Sequence, residues 1–235
     1  MRKIDEIYTE LPFYGSPRIT QELHRQGFRV NHKAVERLMR EMGLQGLFPK
    51  KNTSQKHPTH PTFPYLLRRR KILYPNQVWG TDITFVRGQG IWFYLVAILD
   101  WYSRYVLAWQ LSPHLTASFC VQALTAALTI ATPEIHNSDQ GSQFTSCEYL
   151  SKLKEHPAIQ ISMDGRGRCF DNIFTERLWR TVKYEEVYLH DYRSYDEASE
   201  SLKSYFALYN NRRLHQALGY KTPAEVYHSK VEKAI

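Results

Sequence analysis

The sequence predicts an α/β protein in which a mixed sheet with flanking helices follows a small all-helical domain of helix-turn-helix type. Three observations carry this. Two amphipathic segments with helix start and stop residues fill residues 16–44, a proline-rich stretch follows at 49–64, and from residue 78 β-branched and aromatic runs give way to alternating helical and extended segments. The expected boundaries are 1–48 for the helical domain, 49–71 for a basic linker, and 72–230 for the sheet domain with a C-terminal helical extension.

In the first helix Ser16 is the expected cap, Pro17 fits the opening turn, Ile19 and Leu23 lie four apart, and Gly27 ends the run. Asn31 can cap the second, where Val35, Leu38, Met39 and Met42 repeat at helical spacing before Gly43. Lys33, Arg37 and Arg40 share the opposite face, as a helix touching DNA phosphates requires; a solvated face on an ordinary helical hairpin is the alternative. The four prolines of 49–64 read as linker, and the run Arg68, Arg69, Arg70, Lys71 is either a phosphate contact or a solvated entry to the next domain. Strands are expected at 78–86, 91–100 and 105–111. The turn-like RGQG and WYSR between them are short enough to make an antiparallel meander. A helix from Thr116, an extended segment leading to Asp139, a helix over roughly 145–155, the strand AIQISM, the loop DGRGRCFDN and a helix from about 172 complete the mixed sheet.

Charge is unevenly placed. The whole chain carries +8, yet residues 1–71 hold fifteen Lys and Arg against six Asp and Glu, and the remainder is almost neutral. A polyanionic partner is expected for the first part, and a second part that meets the same polyanion needs a cation to help it. No run of eighteen apolar residues exists, so a membrane span is not expected, and the chain reads as soluble and cytoplasmic. Cys120, Cys147 and Cys169 show no C-x-x-C spacing, which argues for reduced, mostly buried thiols rather than disulfides or zinc.

Three carboxylates have comparable positions. Asp82 lies within the first strand, Asp139 ends a later one in HNSDQGSQF, and Glu176 sits in the first turns of the helix after Asn172. Neighbouring strands and a helix packed across them can bring all three to one edge. Such a cluster repels itself unless a hard divalent cation such as Mg²⁺ relieves it. Individually, Glu176 could be a solvated residue, Asp139 a helix cap and Asp82 an arginine partner. Asp100, which also ends an apolar run, is assigned to the turn into WYSR, with Arg104 as a partner. Arg180 and Lys183 follow Glu176 by four and seven residues, so one helix face presents a carboxylate and then two cations, while Ile173, Leu178 and Val182 face the sheet. Gln140, Gly141, Ser142 and Gln143 could touch DNA or form a simple polar turn, and Arg166 and Arg168 are further expected DNA contacts.

With TDITFV around Asp82, HNSDQGSQF around Asp139, DGRGRCFDNIFTERLWRTVKYE around Glu176 and YNNRRLHQALGYKTPAE near the C-terminus, nearly the whole chain resembles the second-reading-frame transposases of bacterial insertion sequences of family three. That family belongs to the retroviral-integrase superfamily, with a ribonuclease-H-like fold. The resemblance implies that Asp82, Asp139 and Glu176 are the DDE metal ligands of an enzyme that cuts and joins DNA strands. It implies two Mg²⁺ ions per site, with Mn²⁺ as a possible substitute. Thirty-six residues separate Asp139 from Glu176, one more than is common in the family. Implied partners are double-stranded DNA at the element ends and target, an upstream-frame transposase subunit, and further copies of the chain on DNA, with a nucleoid-associated location. A non-catalytic DNA-binding regulator and a simple ribonuclease-H-like nuclease are the competing readings.

Overall fold

The computed structural model describes residues 1–47, 61–164 and 172–229. It divides into two compact units, Met1–Gln55 and Lys56–Ile235. Leu67, just before the expected end of the linker, is buried in the core of the second unit, and the Leu66 N–H donates to Ser162 Oγ at 3.1 Å.

The first unit packs three helices, α1 (Arg2–Glu10), α2 (Ser16–Arg25) and α3 (His32–Glu41), around Ile4, Ile7, Ile19, Leu23, Val35 and Met39. The sequence pattern did not point to α1, although Ile4 and Ile7 give it a buried stripe. Ser16 is not the cap of α2. It is already helical, Gly15 takes the extended cap geometry (φ −83°, ψ 174°), and the Ser16 hydroxyl instead shares a hydrogen bond with His32 Nε2 at 3.0 Å. Asn31 caps α3 as expected, accepting from the Lys33 N–H at 2.9 Å. Gly27 and Gly43 end the two helices with φ of 86° and 68°, a conformation that costs glycine little.

The second unit is built on five strands, β1 (Val78–Arg87), β2 (Trp92–Asp100), β3 (Val106–Ser112), β4 (Ile135–Ser138) and β5 (Gln160–Met163), in the order β3-β2-β1-β4-β5. The first three form the expected antiparallel meander, and β4 and β5 add in parallel on the β1 side. Alternation along β2 explains the layering: Leu95, Ala97 and Leu99 enter one core, Val96 and Ile98 the other. Helices α4 (Ala117–Ile130) and α5 (Cys147–Lys154) cover the second face, and α6 (Ile173–Glu185) and α7 (Tyr195–Asn211) the first, before the short α8 (Pro223–Tyr227). Val78, Gly80, Asp82 and Val86 share the α6 side of β1, because side chains two apart point the same way.

Asp100 serves its turn, as expected: its Oδ1 accepts from the Asn76 N–H at 2.7 Å, and its Oδ2 from the Ser103 N–H at 2.8 Å and hydroxyl at 2.6 Å. Three donors occupy most of the carboxylate's acceptor capacity. No ion pair with Arg104 forms among the described residues; that guanidinium lies over the Phe174 ring at 3.6 Å. Cys120 is buried, which pushes its thiol up to about 12, whereas Cys147 is exposed at the start of α5, contrary to the expectation of buried thiols. Cys169 lies outside the described residues.

Gly80 is the tightest point between β1 and its cover. A Cβ there would stand 2.1 Å from Trp101 Nε1 and 2.9 Å from Thr175 Oγ1. Gly80→Ala is therefore expected to lower stability by about 1–3 kcal/mol, the usual cost of overpacking, read as a reduced urea midpoint at unchanged slope; an unaltered midpoint would refute the close-approach account.

Candidate active site

Parallel pairing of β1 with β4 sets the site. The last paired residues are Gly80 and Asn137, and Asp82 and Asp139 each lie two residues further along. The two therefore stand at one level, Asp82 within β1 on the face that α6 covers and Asp139 just past the end of β4. On α6 the buried residues are Thr175, Leu178, Trp179 and Val182, so Glu176 falls on the exposed side of the helix's first turn. Ile173, expected against the sheet, is instead 47% exposed because it opens the helix ahead of the packed turns.

Asp82 is held from two directions. The Ile83 N–H donates to its Oδ1 at 2.8 Å, and the Trp179 indole N–H to its Oδ2 at 3.1 Å. Burial pushes its carboxyl up to about 6; the charges of Asp139 and Glu176 act in the same direction, and the two hydrogen bonds only partly oppose them. The Asp139 carboxyl is also raised by desolvation, against the Gly141 N–H that donates to its Oδ1 at 2.8 Å. Glycine at 141 has a local cause: a Cβ there would stand 2.8 Å from that same oxygen. Asp139 does not cap α5, a role taken by Ser146, whose Oγ accepts from the Tyr149 N–H at 3.2 Å. Gln140 turns inward and donates to the Asp164 carbonyl at 2.9 Å, within a polar layer where Asn137 bridges Asp164 Oδ1 and Ser162 Oγ, each at 2.8 Å. That layer fixes the end of β4 against β5.

The donor set suits a hard divalent cation. It offers carboxylate oxygens only, and the chain leaves Asp82 raised under two neighbouring like charges that a cation would relieve. Among the described residues no group of three or more His, Cys, Asp and Glu is gathered closely enough to hold an ion as it stands. Drawing Glu176, on an exposed helical turn, toward the two aspartates would complete the set.

The expected DNA contacts fare differently. Lys33, Arg37 and Arg40 are all exposed on α3, with Arg37 3.7 Å from Glu41 and Arg40 3.5 Å from Glu36. Such exposed pairs are weak and can give way to phosphate. Arg68 and Arg69 are exposed, while Arg70 pairs with Glu134 at 3.3 Å. Arg180 is exposed and Lys183 half-buried. Arg166 and Arg168 lie outside the described residues. Sequence reasoning missed Trp179 and Asn172. The Asn172 amide donates to the Thr81 carbonyl at 3.3 Å and its Oδ1 accepts from the Thr175 hydroxyl at 2.6 Å, pinning the start of α6 to β1. Trp179, three residues after Glu176, was legible as one side of a helix stripe but not as a donor to Asp82.

This sheet and its carboxylate edge define an integrase-type core, and comparison with known proteins agrees. An integrase core domain family matches residues 74–169, a second integrase core domain family 157–223, and an HTH-like domain family 1–52. The putative transposase InsK for insertion sequence element IS150 of Escherichia coli (strain K12) is 34% identical over 230 residues, covering 95% of this chain and 81% of that protein. The transposase InsF for insertion sequence IS3A of Escherichia coli (strain K12) is 32% identical over 90% of this chain and 76% of its own length. The chain belongs to this family of insertion-sequence transposases. Among solved structures, the HTLV-2 integrase catalytic core domain in complex with magnesium superposes with a TM-score of 0.55 at 20% identity, covering 67% of this chain and all of that one. A chain of the simian T-cell lymphotropic virus intasome in complex with PP2A regulatory subunit B56 gamma gives 0.56 at 21% identity, over 72% of this chain and 61% of that one. Both similarities concern the fold.

Folding lifts the Asp82 carboxyl from the ordinary aspartate value of 3.8 to about 6, so the folded chain keeps this proton where the unfolded chain has lost it. That contribution is present at acid pH and fades as pH rises between those two values. In chelator, Asp82→Asn should therefore be more stable than the parent at pH 7, by on the order of 1–2 kcal/mol after allowance for solvent screening, and the margin should shrink toward pH 4. Urea melts at both pH values test this, and a margin independent of pH would contradict it.

Proposed function

We propose that the chain is a polynucleotidyl transferase in which Asp82, Asp139 and Glu176 hold two Mg²⁺ ions, with Mn²⁺ able to replace them. When bound, such ions activate an attacking oxygen and stabilise a leaving oxygen in an in-line displacement. In each step the bond from phosphorus to its bridging oxygen breaks as a bond to the incoming oxygen forms. Water is the incoming group when an element end is nicked, and the freed 3′-hydroxyl when it is joined. No Ser, Cys or Tyr nucleophile is needed.

The chain's own groups orient and hold. Ile83 and Trp179 fix the Asp82 carboxylate, and the Gly141 N–H fixes one oxygen of Asp139. Arg180 and Lys183, on the helix that carries Glu176, take phosphates flanking the reacting one, with Arg166 and Arg168 as further contacts. Lys33, Arg37 and Arg40 engage duplex DNA from the helical unit, and Arg68 and Arg69 from the segment beyond it. The proposal extends to an upstream-frame subunit and to assembly of several copies on paired element ends in the bacterial cytoplasm, at the nucleoid. Among the described residues no helix is long and apolar enough to cross a membrane.

The observation that carries this reading is the parallel β1–β4 register that brings Asp82 and Asp139 to one level beside the helix bearing Glu176, with the raised Asp82 carboxyl in accord. Labelled element-end DNA incubated with protein and MgCl₂ should yield nicked and joined products. Asp82→Asn, Asp139→Asn and Glu176→Gln should each lower the yield by more than about a hundredfold, as losing a metal ligand does, without loss of DNA binding. Full activity in any of the three would remove that residue from the site. Cut DNA with no joined product from the parent would favour a nuclease, and binding with neither product a regulator.

A further inference from the structure

The C-terminal stretch YNNRRLHQALGYKTPAE has no part in the metal chemistry, yet its placement is closely specified. Asn210 exchanges two hydrogen bonds of 2.9 Å with the backbone of Val106, fixing the end of α7 to β3. The loop that follows is closed by the His215 N–H to Lys221 carbonyl and Tyr220 N–H to His215 carbonyl bonds, 3.1 and 2.9 Å. Gly219 and Tyr220 turn it in the left-handed region, with φ of 65° and 62°. This loop forms one wall of a groove of about 550 Å³ whose other wall is α6.

The lining has the chemistry of nucleic acid rather than of a small apolar ligand. Arg177 and Arg180 enter from α6, one and four residues beyond Glu176, exposed and without an ion pair among the described residues. The acid of the lining, Glu185, is taken up by a bidentate pair with Arg213 at 2.6 and 2.7 Å. Tyr184 and Tyr220, each 64% exposed, present rings, and Arg180 already lies over Tyr184 at 5.4 Å. His215 also lines it, with its Nε2 buried and without a hydrogen-bond partner among the described residues. Burial, with the cations of Arg213 and Arg104, pushes that imidazole down to about 4, so it is neutral at pH 7. Arginine for phosphate and aromatic faces for stacking are the elements of single-strand recognition. A cavity in the size range of small-ligand pockets, about 300–1,000 Å³, has room for a nucleotide but not for a duplex.

We propose that this groove takes an unpaired nucleotide of the DNA, its base stacked on Tyr184 or Tyr220 and its phosphate on Arg177 and Arg180. The proposal rests on the reading of the chain as an enzyme acting on DNA. It gives the C-terminal motif a role of its own, which is to hold a nucleotide displaced from the helix beside the reacting strand.

The test is fluorescence anisotropy of the full chain in EDTA, with a labelled oligothymidylate and a labelled duplex of equal length. At least one of Tyr184→Ala and Tyr220→Ala should weaken oligothymidylate binding by about tenfold, and neither should change duplex binding by more than about twofold. Arg177→Ala should lower the salt dependence of oligothymidylate binding. Trp92→Ala, an exposed aromatic on β2 outside the groove, should change neither. Unchanged oligothymidylate affinity in both tyrosine variants, or equal losses on the two DNA forms, would overturn the proposal. Because no metal is present, that failure would leave the carboxylate assignment untouched, and active carboxylate variants would leave this result untouched.

Discussion

Three carboxylates near one another are a destabilising arrangement, and the second unit is organised around tolerating it. Parallel pairing of β1 and β4 delivers Asp82 and Asp139 to one level, and the Asp82 carboxyl pays for its position with a raised pKa. A surface this unfavourable persists only where the surroundings over-determine it. Here they do so through short, specific contacts: the Trp179 indole and Ile83 amide on Asp82, the Gly141 amide on Asp139, and the polar layer of Asn137, Ser162 and Asp164 below. Gly80 belongs to the same scheme, since its missing side chain lets Trp101 and Thr175 close over β1.

Helix α6 serves both core and site because its period separates the roles. Thr175, Leu178, Trp179 and Val182 are buried, and Trp179 reaches from that face to Asp82. Glu176, Arg177 and Arg180 are exposed on neighbouring stripes of the same turns. A helix anchored along its apolar face is stiff, while its exposed residues keep their rotamer freedom. That combination is compatible with the proposed role of Glu176 as a third ligand and of Arg177 and Arg180 as phosphate contacts.

The C-terminal extension illustrates a second use of packing. Helix α7 contributes Ala198, Leu202, Tyr205, Phe206 and Tyr209 to the core on the α6 side of the sheet. Its end is then free to present a tightly turned loop opposite α6. The first unit is independent in construction, with its own six-residue apolar centre and its exposed cations on α3. Two separately cored units suit a chain that must recognise DNA with one surface and do chemistry with another.

The sequence by itself determined the class of the fold, the strand order of the meander and the helix carrying Glu176, because hydrophobic period, turn residues and short connections are local properties. It also located Asn31 as a cap and Asp100 as a turn residue. Only the tertiary structure decided the rest. Ser16 lost its cap role to Gly15, Arg104 laid its guanidinium over Phe174 and kept only a longer-range attraction to Asp100, Ile173 stayed exposed and Gln140 turned toward Asp164. The Trp179 donor, the Asn172 clasp and the groove beside α6 were likewise invisible. Each joins residues far apart along the chain, and no spacing rule encodes a partner that only the packing of a helix on a sheet brings within about 3 Å.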